Sequence, residues 1–179
     1  MNLANKLTML RVILIPVFVI VLLSPFVSEP WNRYIAVAIF IVASLTDFLD
    51  GYIARSRNMV SNFGKFMDPL ADKLLVCSAM ISMVELGDLP AWVVIIIISR
   101  EFAITGFRTL AVEANIVIAA AWWGKVKTTV QMIMIIFVLL PLQGVGVVWI
   151  EQILIALAVF FTILSGVEYI VKNKTVLKG

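Results

Sequence analysis

Histidine is absent from the chain, and cysteine occurs once, at Cys77. The first absence removes the commonest general base and the commonest transition-metal ligand together. The second makes a disulfide within the chain impossible and says nothing about redox compartment. Cys77 lies in an apolar run and reads as a small packing residue. Charge is also scarce, at 14% of 179 residues with a net value of +3. No basic run is interleaved with aromatics, so nucleic-acid binding finds no support. A small positive excess suits anionic lipid headgroups or phosphorylated substrates better. No linker, low-complexity tract or convincing internal repeat divides the chain, and its length is that of one domain.

What fills the chain instead is apolar: 63% of the residues are hydrophobic, and the mean hydropathy is +1.09. A soluble domain of this size has too little core to hide so much apolar surface, so the class is that of an integral membrane protein. A span takes roughly 20 apolar residues at about 1.5 Å rise each. Six segments qualify: Thr8 to Val27, Trp31 to Arg55, Phe63 to Leu86, Pro90 to Ala114, Ile116 to Leu142, and Val147 to Val171. The first could pass for a signal peptide, but Ser28, Glu29, Pro30 and Trp31 after it offer no small-x-small cleavage site, so it reads as a retained span.

Basic residues set the orientation. With the N-terminus in the cytoplasm and six spans threaded, only Arg33 among the basic residues falls outside, accompanied by Glu29, Glu85, Asp88 and Glu151. That asymmetry is what the positive-inside rule predicts, and it puts both termini in the cytoplasm. Trp31, Trp92 and Trp149 then mark the outer interface, and Trp122 with Trp123 the inner one.

Several charges nonetheless lie well inside the apolar runs. Asp47 precedes Arg55 by a distance on the order of 12 Å along a helix. Asp68 and Asp72 enter the third span, Arg100, Glu101 and Arg108 interrupt the fourth, and Lys125 and Lys127 the fifth. At about 2.5–3.5 kcal/mol per charge at membrane depth, these eight facing lipid would cost roughly 20 kcal/mol, so they must face one another, water or ions. All fall in the cytoplasmic half of the topology. The expected fold is therefore an all-α integral membrane protein of six transmembrane helices, with one polar cavity open to the cytoplasm.

Helical periodicity aligns the carboxylates. Asp47 and Asp50 are three apart, Asp68 and Asp72 four apart, so each pair shares a face. Gly51 and Ala54 lie on the stripe of the first pair and Gly64 one turn before Asp68, leaving room for a ligand or a close helix approach. Converging carboxylates repel, and protonation or a cation relieves this. Oxygen ligands without histidine or thiolate favour Mg²⁺, Mn²⁺ or Ca²⁺. Four carboxylates can bridge two such ions, and a two-metal site suits displacement at phosphorus.

The pattern Asp47-x2-Asp50-Gly51-x2-Ala54-Arg55-x8-Gly64-x3-Asp68-x3-Asp72 resembles the complete signature of the CDP-alcohol phosphotransferases. Asn5-x-Leu7-Thr8-x-x-Arg11, the stretch from Phe66 to Lys73, Ser99 to Phe102 and Gly124 to Thr128 resemble the bacterial phosphatidylglycerophosphate-forming branch. The resemblance implies transfer of a phosphatidyl group from CDP-diacylglycerol to glycerol 3-phosphate, with CMP released. It implies Asp47, Asp50, Asp68 and Asp72 as ligands of two Mg²⁺ or Mn²⁺ ions, with Asp72 also the general base. It implies Asp50, Gly51, Ala54, Arg55 and Gly64 as the CDP-binding residues, and a homodimer in a bacterial inner membrane.

The acceptor's phosphate needs cations. Arg108 lies two turns after Glu101 on one face, with Arg100 about 80° away around the helix; Lys125 and Lys127 are about 200° apart, so only one faces a given cavity squarely. Arg100, Arg108 and Lys125 are assigned to the acceptor phosphate, Glu101 to orienting a basic neighbour, and Thr8, Arg11 and Lys127 to further substrate contacts. Val147 to Val171 shows no chemistry. Two alternatives stand beside this reading. One is another acceptor within the family: phosphatidylglycerol as in cardiolipin synthesis, inositol phosphate or serine. The other is a divalent-cation transporter, against which the outer halves of the spans offer no polar path.

Overall fold

A computed structural model describes the backbone of residues 3–56, 62–113 and 122–174, and the side chains of residues 8–46, 70–113 and 122–174. Among the described residues every regular element is an α-helix. There are six: α1 (Leu3–Leu23), α2 (Trp31–Ser56), α3 (Asn62–Glu85), α4 (Ala91–Glu113), α5 (Trp122–Leu139) and α6 (Val145–Lys172). They match the six segments expected from hydropathy, with ends displaced by a few residues. Among the described residues, α5 and α6 are long and apolar enough to cross a membrane. Thr8–Leu23 and Trp31–Thr46 are shorter apolar stretches. In α4 every 18-residue window contains Arg100, Glu101 and Arg108, which is why a helix of 23 residues fails the same test.

The chain divides into two compact units. The first comprises residues 1–89 and 138–141, the second residues 90–137 and 142–179. In the first, α1 packs on both α2 and α3. Ile15, Phe18 and Leu22 of α1, Ala36, Phe40 and Ala43 of α2, and Ala71, Leu75 and Ala79 of α3 are all buried. Each set repeats every three, four or seven residues, the spacing that puts side chains on one helical face. Phe18 and Phe40 meet with ring centroids 6.1 Å apart. The alanines let the backbones approach closely.

Ion pairing and turn geometry fix one end of this unit. The Arg33 guanidinium donates through both terminal nitrogens to the two oxygens of Asp88, at 2.7 and 3.1 Å, while Glu29 lies 3.6 Å from its Nε. Buried Asn32 donates to the carbonyl of Leu22 at 3.4 Å. The end of α3 closes with Gly87 at φ 79. The Asp88 amide donates to the Met83 carbonyl at 2.8 Å and the Gly87 amide to the Val84 carbonyl at 3.0 Å. This is the paired closure that a left-handed residue permits, and glycine takes that conformation without steric cost.

In the second unit α4 packs against α6. Ile97, Ile104, Phe107 and Ala111 line the buried face of α4, and Ile155, Ala158, Thr162, Ser165, Gly166 and Tyr169 that of α6. Phe107 meets Tyr169 edge-on at 5.8 Å, and Trp123 of α5 stacks on Phe161 of α6 at 5.8 Å. The hydroxyls of Thr162 and Ser165 donate to carbonyls of their own helix, at 2.6 and 3.1 Å. Local bonds of this kind satisfy hydroxyls that an apolar setting would otherwise strand. Ile95, Phe102, Trp149, Phe160 and Ile163 are exposed; side chains of this size, uncovered in number, mark a surface suited to lipid or a partner.

Candidate functional site

The acidic segment belongs to the first unit. Asp47, Asp50, Gly51, Ala54 and Arg55 lie in α2, and Gly64, Asp68 and Asp72 in α3. Helicity holds across both stretches, so the three-residue and four-residue spacings of the aspartates are helical spacings. The side chains of Asp47, Asp50, Gly51, Ala54, Arg55, Gly64 and Asp68 lie outside the described residues. Asp72 is described and exposed on α3, immediately after buried Ala71. The donor set fits hard divalent cations: four carboxylates in helical register on two helices, in a chain with no imidazole. On α1, Thr8 is buried and Arg11 is 0% exposed. Neither is without an interaction partner, as a buried charge requires.

The second unit holds a cationic cluster. Within that cluster Glu101 serves two cations. Arg100 reaches its Oε1 from Nη1 at 3.2 Å, and the Lys127 ammonium donates to the same oxygen. Lys127 is 2% exposed, while Lys125 is exposed. Of two lysines pointing in nearly opposite directions, α5 turns Lys127 inward. Glu101 thus holds both a helical neighbour and a residue of a second helix, leaving the cluster with a net positive charge.

Both arginines of α4 have partners on α6. Arg100 also donates from Nη2 to the Ser165 hydroxyl at 3.0 Å. Its side chain lies along α6 where Gly166 leaves space: a Cβ there would come within 3.2 Å of Arg100 Cγ. Arg108, two turns on and exposed, donates from Nε to the Tyr169 hydroxyl at 3.1 Å. Its guanidinium carbon stands 5.7 Å from the Tyr169 ring centroid. The sequence reading passed over Ser165, Gly166 and Tyr169. The available signal was a polar interruption of α6, with Thr162, Ser165 and Tyr169 recurring at three and four residues in a helix whose other polar residues, Glu151, Gln152, Glu168 and Lys172, lie toward its ends.

The sequence thus places four aspartates in helical register on α2 and α3, and the described side chains of α4, α5 and α6 form a cluster of net positive charge. Residues 1–164 match the sequence model of the CDP-alcohol phosphatidyltransferases. The chain belongs to this family. Among curated relatives, the CDP-diacylglycerol–glycerol-3-phosphate 3-phosphatidyltransferase of Bacillus subtilis (strain 168) is 47% identical, the alignment covering 99% of this chain and 97% of the relative. A probable phosphatidylglycerophosphate synthase of Mycobacterium tuberculosis (strain H37Rv) is 43% identical, over 96% of this chain and 81% of the relative. A Rickettsia prowazekii (strain Madrid E) protein with the same name as the Bacillus relative is 33% identical, over 97% and 96%. Likeness to the CDP-alcohol phosphatidyltransferases runs through both units, since the matched residues include α1 to α5 and most of α6.

Proposed function

We propose that the protein transfers the phosphatidyl group of CDP-diacylglycerol to sn-glycerol 3-phosphate, giving phosphatidylglycerophosphate and CMP. The observation that carries this reading is the combination of near-full-length similarity to relatives of that name with a positively charged Arg100–Glu101–Lys127 cluster suited to a phosphorylated acceptor. A primary hydroxyl of glycerol 3-phosphate attacks the phosphorus of the phosphatidyl group. The bond from that phosphorus to the oxygen of CMP breaks, and Asp72 accepts the hydroxyl proton. Asp47, Asp50, Asp68 and Asp72 hold two divalent cations, Mg²⁺ or Mn²⁺. When bound, these neutralise the pyrophosphate and stabilise CMP as leaving group. Asp50, Gly51, Ala54, Arg55 and Gly64 hold the CDP moiety. Arg100, Arg108 and Lys125 supply the positive charge that serves the acceptor phosphate, with the two anionic substrates brought together largely by positioning.

The same reading makes the chain one six-span domain, a homodimer in a bacterial inner membrane with both termini cytoplasmic. The test is transfer by purified protein in lipid–detergent micelles with CDP-diacylglycerol and each acceptor in turn. Glycerol 3-phosphate should give phosphatidylglycerophosphate with CMP release that a chelator abolishes. Cardiolipin from phosphatidylglycerol, or a product only with inositol phosphate or serine, would assign another acceptor. Divalent-cation flux in liposomes without CMP release would refute transfer altogether.

A further inference from the structure

We propose that α6 is the positioning element of the acceptor site: Tyr169 aims Arg108 at the acceptor's phosphate, while Ser165 and Gly166 hold Arg100 back against the helix. This rests on the reading of Arg108 as a ligand of the acceptor phosphate. A guanidinium offers five donors on two usable edges, one between the terminal nitrogens and one that includes Nε. In Arg108 the Tyr169 hydroxyl takes Nε at 3.1 Å. Tyr169 is itself 2% exposed and fixed by its edge-on contact with Phe107. Among the described residues no carboxylate pairs with Arg108, and its terminal nitrogens have no hydrogen-bond partner. The edge left open is the one that matches two phosphate oxygens side by side.

Arg100 is used in the opposite sense. Glu101 occupies Nη1 and Ser165 occupies Nη2. The Cγ lies where any side chain larger than glycine at position 166 would press on it. Both terminal nitrogens are thus engaged by the protein, and Arg100 serves chiefly to bind α4 to α6 and to hold positive potential near the site. The division of labour is readable only from α6: one arginine is presented and the other is tied down. Fixing the Arg108 side chain before the ligand arrives removes part of the ordering cost of binding. The effect of Tyr169 should therefore appear in acceptor affinity rather than in the rate of the chemical step.

The experiment is a double-mutant cycle of Tyr169→Phe and Arg108→Ala in the full-length protein, with KM for glycerol 3-phosphate, KM for CDP-diacylglycerol and kcat measured for each variant. Tyr169→Phe keeps the ring and its packing. It should raise the acceptor KM about fivefold to tenfold, the scale of one ordinary hydrogen bond, with kcat and the donor KM within about twofold. In the Arg108→Ala background the same change should add nothing. An unchanged acceptor KM in Tyr169→Phe, an equal rise in both backgrounds, or parallel losses in both KM values and kcat would overturn the positioning role. If Arg108→Ala leaves the acceptor KM at the wild-type value, or the wild type does not use glycerol 3-phosphate, the underlying reading of the site fails as well. Ser165→Ala, which removes a single hydroxyl, gives an independent measure: it should loosen Arg100 and raise the acceptor KM less than Tyr169→Phe does. A larger rise than that of Tyr169→Phe would reverse the assigned roles.

Discussion

At Glu101 one carboxylate oxygen receives Arg100 and Lys127. The lysine is 3% exposed at its side chain and the glutamate 22%. Removing one member of such a pair strands the other in a poorly solvated place, at a cost of about 3 kcal/mol. Glu101→Ala should therefore lower thermal stability in detergent markedly. Combining it with Lys127→Met should recover part of the loss, because the pair is then replaced by apolar volume; unfolding curves of the three variants check this. The aspartates make a different case. Asp68→Asn conserves shape while removing a charge and a metal-binding oxygen. It should reduce phosphatidyl transfer below a tenth of wild type while the protein still inserts and elutes as the wild type does. The aspartate spacing was visible before any coordinates because it is a local helical property. The partners of Glu101 were half visible: Arg100 is its neighbour in the chain, but Lys127 lies 26 residues away on another helix.

At the scale of the helix, α4 and α6 show how a small residue can mean two things. Gly106 of α4 has open space where a Cβ would stand, whereas at Gly166 of α6 the same atom meets Arg100 Cγ at 3.2 Å. Alanine suits a helix interior better than glycine by about 0.5–1 kcal/mol. Gly106→Ala should accordingly be neutral or stabilising by that amount. Gly166→Ala should be destabilising, because Arg100 is held at both ends of its guanidinium and cannot swing aside freely. The melting temperature should fall for Gly166→Ala and stay level or rise for Gly106→Ala. The helices themselves were legible in the sequence almost to their ends, since long apolar runs broken by Ser-Glu-Pro, Leu-Gly-Asp and Gln-Gly leave little choice. The polar face of α6 was not, because Thr162, Ser165 and Tyr169 in a largely apolar helix gain meaning only from what packs on them.

For the whole molecule, membrane topology is the property most exposed to test. Among the described residues, the two helices both long and apolar enough to span, α5 and α6, are joined by a short connection from Leu140 to Gly144; the distribution of basic residues leads us to propose cytoplasmic termini. In a Cys77→Ala background, single cysteines placed at Ser28, at Gln143 and at Asn173 should separate cleanly. An impermeant maleimide added to intact cells should label the first two and leave Asn173 unmodified until the membrane is opened. Labelling at Asn173 in intact cells would overturn the six-span arrangement.

Sequence by itself determined the helical class, the positions of the six helices, the register of the four aspartates and the chemistry those aspartates suit. Each depends on residues within a few turns of one another, where the period of the helix decides who shares a face. Tertiary structure alone decided that Lys127 rather than Lys125 joins Glu101, and that Ser165, Gly166 and Tyr169 seat the two arginines. Those contacts link residues 26, 65 and 61 positions apart. Nothing in the local pattern says which face of one helix will meet which face of another; packing settles that, and with it which partner each cation takes.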